Sequence, residues 1–325
     1  MLDNYCMLSV TLSDLEAAAK LVYAAFSPTS QTQYPLLSQR TGCEVWVKHE
    51  NHTPLGAFKV RGGLVYVDWL KRTHPEVRGV VTATRGNHGQ SVAFAARSAG
   101  LSATIFVPVG NSREKNAAMQ ALGGELVEYG HDFQAASEAS VAYAQTNNLH
   151  HMPSYSPLLI AGVGTYSMEL LRAHPDLKAI YVPIGLGSGI SGAIAARDAL
   201  NLKTKIIGVV SEHAPAYALS FQSGKPTATD SANTMADGVA CRVPNASAVE
   251  YICKGAADVI TVSEDEIKAA MRVYYTDTHN IAEGAGAVPL AGLLKQRDLR
   301  RGQKVAVVLS GSNIDLDQYR AVLGV

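Results

Sequence analysis

Ala179-Ile180-Tyr181-Val182-Pro183-Ile184 runs directly into Gly185-Leu186-Gly187-Ser188-Gly189-Ile190-Ser191-Gly192 and on into Ala193–Leu200. The first six residues are apolar and mostly suited to a pleated strand, the next eight are glycine-rich, and the last run is a small-residue helical pattern. Strand, tight turn and helix in that order form one half of a βαβ unit. No Asp, Glu, Lys or Arg falls between Ala179 and Ala196, and Pro183 with the glycines breaks the run too often for a membrane span.

The same alternation continues on both sides. Strands are expected at Val45–Val47, Gly79–Thr84, Ala103–Val107, Glu125–Tyr129, Lys205–Val210, Asp258–Val262 and Lys304–Leu309, beside Ala179–Ile184. Helical patterns fall between them at Gln90–Ala99, Ser112–Ala121, Ala135–Gln145, Gly192–Leu200 and Glu264–Thr276. This pattern predicts an α/β protein with parallel-rich twisted sheets flanked by helices. Ser13-x-x-Glu16 and Ser263-x-x-Glu266 match the capping box at helix starts. Because 79–129 reads as an alternating unit of its own, a smaller domain is expected at 68–152. Residues 1–67 and 153–325 would form the larger one.

Apolar residues make up 47% of the 325, charged residues 17%, and 28 basic side chains balance 28 acidic ones. Without a basic stripe, neither nucleic acid nor an anionic membrane surface is an expected partner. Met1–Val10 has no basic start and no apolar run, so no secretory signal is expected. Cys6, Cys43, Cys241 and Cys253 form no C-x-x-C pair, which suits a reduced cytoplasmic setting. His150-His151 comes with no metal-site spacing, and no metal is expected there.

Three stretches carry chemistry. Backbone amides converging at the start of the helix after Gly185–Gly189 would cradle a phosphate. The same loop also reads as G-x-G-x-x-G from Gly187 to Gly192, with Glu212 at the end of the next strand, which is a dinucleotide fingerprint. A nicotinamide-dependent oxidoreductase is therefore a second reading of this loop. Arg85-Gly86-Asn87-His88-Gly89-Gln90 is a polar turn opening a helix, where amides and Asn87 would meet a carboxylate or a phenolic oxygen. Lys59, in Ala57-Phe58-Lys59-Val60-Arg61-Gly62-Gly63, has apolar and cationic neighbours that would lower its pKa, as a Schiff-base lysine requires. Its plainer reading is a surface lysine early in an amphipathic helix. Ser310, after the strand Val305–Leu309, sits where ligands gather in open α/β sheets; Glu283 before Gly284-Ala285-Gly286 reads as a helix-start carboxylate. An amine, a polar turn and a phosphate cradle together point to pyridoxal phosphate.

Taken in order from Lys48-His49-Glu50-Asn51 to Asp315, these motifs resemble the fold-type II pyridoxal-phosphate enzymes, in the branch of serine/threonine dehydratases and serine racemases, and specifically the short catalytic form. The resemblance implies that Lys59 bonds the cofactor and acts as the general base, with Phe58 near the ring and Asn87 at its hydroxyl. It implies phosphate held by Gly185, Leu186, Gly187, Ser188 and Gly189, Ser310 at the ring nitrogen, and Gly238 and Glu283 lining the pocket. Thr84, Arg85, Asn87 and His88 would surround the substrate carboxylate. The implied activity is α,β-elimination from an L-3-hydroxy amino acid by a homodimer. Thr84-Arg85 stands where relatives have Ser-Ser, and the second serine serves the racemases as an opposite-face acid/base. Arg85 thus argues against racemisation, and it brings hydroxyaspartate-like or phenylserine-like substrates into view beside threonine and serine. Gly208-Val209-Val210-Ser211 lacks the glutamate of the family's metal site, so no structural metal is expected.

Overall fold

The computed structural model describes residues 10–325, so Cys6 lies outside the described residues. Among the described residues, ten strands form two sheets: β1 (Gln31–Gln33), β2 (Glu44–His49), β3 (Gly79–Ala83), β4 (Ser102–Val107), β5 (Gly124–Glu128), β6 (His150–His151), β7 (Ala179–Pro183), β8 (Lys205–Ser211), β9 (Asp258–Val262) and β10 (Lys304–Leu309). One sheet runs β1-β2-β10-β7-β8-β9 and the other β5-β4-β3-β6. Every pairing is parallel except β1 with β2.

Side-chain alternation along the central strands splits the larger sheet between two cores. Val305, Val307, Tyr181, Ile207 and Val209 face the layer holding Met271, Tyr274, Val288 and Leu290. Ala306, Val308, Ile180, Val182, Ile206 and Val210 face Val163, Tyr166, Ile190 and Ile194 on the opposite side. Helices on both faces explain why these strands read as continuous apolar runs. The carboxyl ends of β3, β7 and β10 lead into Thr84, Gly185 and Ser310, all of which border one cavity.

Two local expectations are corrected. The first helix, Leu12–Ala25, is capped by Thr11 and Asp14, not by Ser13 and Glu16. The Thr11 hydroxyl accepts from the Asp14 amide at 3.2 Å while the Asp14 carboxylate accepts from the Thr11 amide at 2.9 Å, so the box closes two residues earlier. Ser263 and Glu266 do form the expected box. Thr84 and Ile184 end just beyond their strands because the chain has begun to turn. The Thr84 hydroxyl accepts from the amides of Gly86 and Gly89, which fixes that turn.

Candidate active site

Lys59 opens the helix Lys59–Thr73 immediately after Phe58, whose amide donates to the Ser310 carbonyl at 3.1 Å. That bond ties the lysine to the end of β10. The lysine Nζ donates to Ser188 Oγ at 2.9 Å and lies 4.8 Å from the centroid of the Phe58 ring. As a residue Lys59 is only partly buried because it borders the cavity, but its amine is surrounded by protein, and burial pulls its pKa down to about 8. Its neighbour Arg61 does not contribute as the sequence implied. The Arg61 guanidinium points into the protein and binds Glu50 and Glu169, and Lys48 joins the same buried network.

The loop after β7 closes the cavity opposite. Gly187 has φ +99°, a left-handed conformation that a side chain would strain, and a Cβ there would also crowd Ala248. A Cβ on Gly185 would overlap the Gly238 carbonyl, which places Gly238 against the loop. Ser188–Ala199 is the helix that follows. Among the described residues, no hydrogen bond uses the amides of Gly185 to Gly189. Free amides at a helix N-terminus are an anion site. Glu212 is exposed and outside the cavity, whereas Lys59 and Asn87 line it with the loop. The geometry thus groups the loop with the amine rather than with the acidic residue that a dinucleotide reading requires.

Asn87 is the first residue of the helix Asn87–Ser98, and Gly86 rather than Asn87 is its cap. Its side chain is fixed at both ends. Nδ2 donates to Glu283 at 2.6 Å, and Oδ1 accepts from Asn313 at 2.9 Å, leaving one amide hydrogen free. Glu283 caps no helix with its side chain; its second oxygen meets Lys115 at 3.0 Å. Lys115 also pairs with Asp237 at 2.6 Å, and these carboxylates raise its pKa despite burial. Desolvation pushes Glu283 upward and Lys115 opposes it. His88 is buried, and loss of solvent, reinforced by Lys59, holds its pKa near 3, so its ring is neutral. Thr84, Arg85 and Ser310 complete the lining.

The residues that the resemblance assigns to the site therefore border one cavity: Phe58, Lys59, Thr84, Arg85, Asn87, His88, Gly185–Gly189, Gly238, Glu283 and Ser310. Lys115 was missed. Ser112-Arg113-Glu114-Lys115-Asn116 reads as a polar helix start, and only the fold aims its one buried cation at Glu283. His150 and His151 bond Tyr66 and Ser140, respectively.

A pocket with a depressed amine, a free-amide anion cradle and a neutral donor at Asn87 has the donor set that a phosphorylated aldehyde cofactor needs. Comparisons with known proteins agree. A family described as "Pyridoxal-phosphate dependent enzyme" matches residues 22–311. L-threonine ammonia-lyase of Thermotoga maritima is 34% identical over 315 residues, covering 97% of this chain and 78% of that protein. The processed form of threonine deaminase isoform 2 from Solanum lycopersicum superposes with a TM-score of 0.87 at 27% identity, covering 98% of this chain and 95% of that one. Maize serine racemase superposes with a TM-score of 0.89 at 26% identity, covering 97% of each chain.

Proposed function

The chain belongs to the pyridoxal-phosphate-dependent enzyme family, and we propose that it is an ammonia-lyase converting an L-3-hydroxy amino acid to a 2-oxo acid and ammonia. The observation that carries this reading is Lys59, whose buried amine faces the free amides of Gly185–Gly189 across one cavity. Its cofactor is pyridoxal 5'-phosphate. When bound, the cofactor supplies a conjugated ring that stabilises negative charge developing at the substrate α-carbon.

The remaining work falls to the protein. The amides of Gly185, Leu186, Gly187, Ser188 and Gly189 would hold the phosphate. Asn87, with one Nδ2 hydrogen free, would hold the ring oxygen, and Phe58 and Gly238 would line the ring pocket. The neutral Ser310 hydroxyl would serve the ring nitrogen without supplying a charge to it. Thr84, Asn87 and neutral His88 would surround the substrate α-carboxylate, with Arg85 beside them in the same lining. Lys59 Nζ, which faces the same cavity, would take the α-proton. Loss of the β-hydroxyl and hydrolysis of the nitrogen-bearing product give the oxo acid and ammonia. Arg85 stands where the racemases carry the serine that acts from the other face, so that hydroxyl is missing here. That favours elimination over racemisation.

The proposal extends to a small mobile domain at 68–152, supported by the separate sheet β5-β4-β3-β6, and to a cytoplasmic homodimer. Among the described residues no helix is long and apolar enough to cross a membrane. Light scattering at about twice 34.4 kDa would support the dimer.

Purified protein should absorb near roughly 410–420 nm, borohydride should abolish that band, and the label should map to Lys59. Lys59→Ala should bind cofactor without that band and release no ammonia from threonine or serine. Retained turnover in Lys59→Ala would refute the assignment.

A further inference from the structure

Arg85, half-buried in the cavity wall, stands apart from the buried cations. Lys48, Arg61 and Lys115 each meet carboxylates at 3.0 Å or less. Arg85 has no ion pair or hydrogen bond among the described residues, and its Nε is buried without a partner. A buried N–H of a charged group without an acceptor is costly, so the fold keeps it only where something else supplies the oxygen.

The position of Arg85 indicates where that oxygen comes from. The active-site cavity adjoins a second cleft of about 420 Å³, and the two share Arg85, Phe133, Leu186, Ala240 and Cys241. The shared wall is apolar except for the guanidinium. A methyl group at C3 of a substrate would leave this passage empty, and a longer substituent would enter it and meet Arg85. The in-plane N–H edge of a guanidinium suits a carboxylate, which accepts two parallel hydrogen bonds. An aromatic ring on its face would leave the Nε hydrogen unsatisfied.

We propose that Arg85 is a specificity-determining residue that binds an anionic substituent on C3 of the substrate, making a 3-hydroxy dicarboxylic amino acid the preferred substrate class. This rests on the ammonia-lyase reading above. Arg85 touches the substituent and not the bonds that break.

The test compares holoenzyme with Arg85→Gln and Arg85→Lys for kcat/KM on threo-3-hydroxyaspartate, threonine and 3-phenylserine. Binding of L-aspartate and L-alanine, which lack a β-hydroxyl, is read separately from the visible absorbance of the cofactor. The wild type should favour 3-hydroxyaspartate. Arg85→Gln should lose about 10- to 100-fold on it and less than about threefold on threonine, the span expected for one hydrogen-bonded charge. Aspartate binding should fall in parallel, and Arg85→Lys should recover part of both. An equal loss on all three substrates would place Arg85 at the α-carboxylate and overturn the proposal. A weakened cofactor affinity would place it at the phosphate, with the same consequence. Preference for phenylserine with 3-hydroxyaspartate unaffected by Arg85→Gln would also overturn it. If no substrate turns over but aspartate binding still depends on Arg85, the lyase reading fails alone and the anion site stands.

Discussion

The lowered pKa of Lys59 can be tested on the protein without cofactor, by varying pH. Burial moves the amine from 10.5 to about 8. Only the neutral amine attacks an aldehyde, so at pH 7 the reactive fraction rises from about one in 3,000 to about one in ten, a gain of roughly 300-fold. The assay adds pyridoxal phosphate to apoenzyme between pH 6 and 10, quenches with borohydride at short times, and quantifies label on Lys59. Initial rates should climb about tenfold per pH unit and level off near pH 8. A rate still rising past pH 9.5 would refute the argument that burial alone activates this amine. Stability carries the same signature. The folded apoenzyme loses the proton near pH 8 and the unfolded chain keeps it until about 10.5, so the unfolded state binds more protons across that window. Apoenzyme stability relative to Lys59→Met should therefore rise with pH from 8 to 10.5 and stay level below 8.

Three further outcomes follow from the same contacts. Arg61→Met leaves Glu50 and Glu169 buried without their guanidinium, which should cost about 3–5 kcal/mol and lower Tm by roughly 6–20 °C; an unchanged melting curve would show the network to be idle. Lys115→Met removes the cation that opposes the raised pKa of Glu283 and frees the carboxylate oxygen it holds, which should loosen the orientation of Asn87 and weaken cofactor binding about tenfold by equilibrium dialysis; unchanged affinity would show that Lys115 does not position this pair. Gly187→Ala forces a side chain into φ +99° against Ala248 and should weaken cofactor binding by about tenfold or more while β7 and the adjoining helix stay folded by circular dichroism.

Much of this architecture was legible because the signals were local. β7, β8, β9 and β10 are apolar runs bounded by turns, and their helices carry ordinary starts. β1 and β6 were not legible: Gln31–Gln33 and His150–His151 are short and polar, and they become strands only because β2 and β3 offer them an edge. Pro157–Ala173 was not assigned as a helix and Gly284–Lys295 showed only its start after Glu283, since both are rich in glycine and small residues and are apolar nearly all round. Their helical state comes from burial between layers rather than from periodicity.

The site divides along the same line. The glycine loop and the Asn87 turn announce themselves because backbone geometry leaves local marks, and Lys59 stands out only in combination with them. The long-range electrostatics do not. Lys115 lies 122 residues from Asp237 and 168 from Glu283. Arg61 lies 108 residues from Glu169. No pattern in a window of sequence reports such pairs. The sequence places Arg61 as a cation beside Lys59, yet its charge is used up on carboxylates behind the helix. That arrangement has a physical consequence. With Arg61 neutralised, the depressed pKa of Lys59 rests on burial alone. A bound phosphate, placing negative charge near the amine, would pull that pKa back up. The neutral amine is therefore most available before the cofactor seats, which is when the carbonyl must be captured.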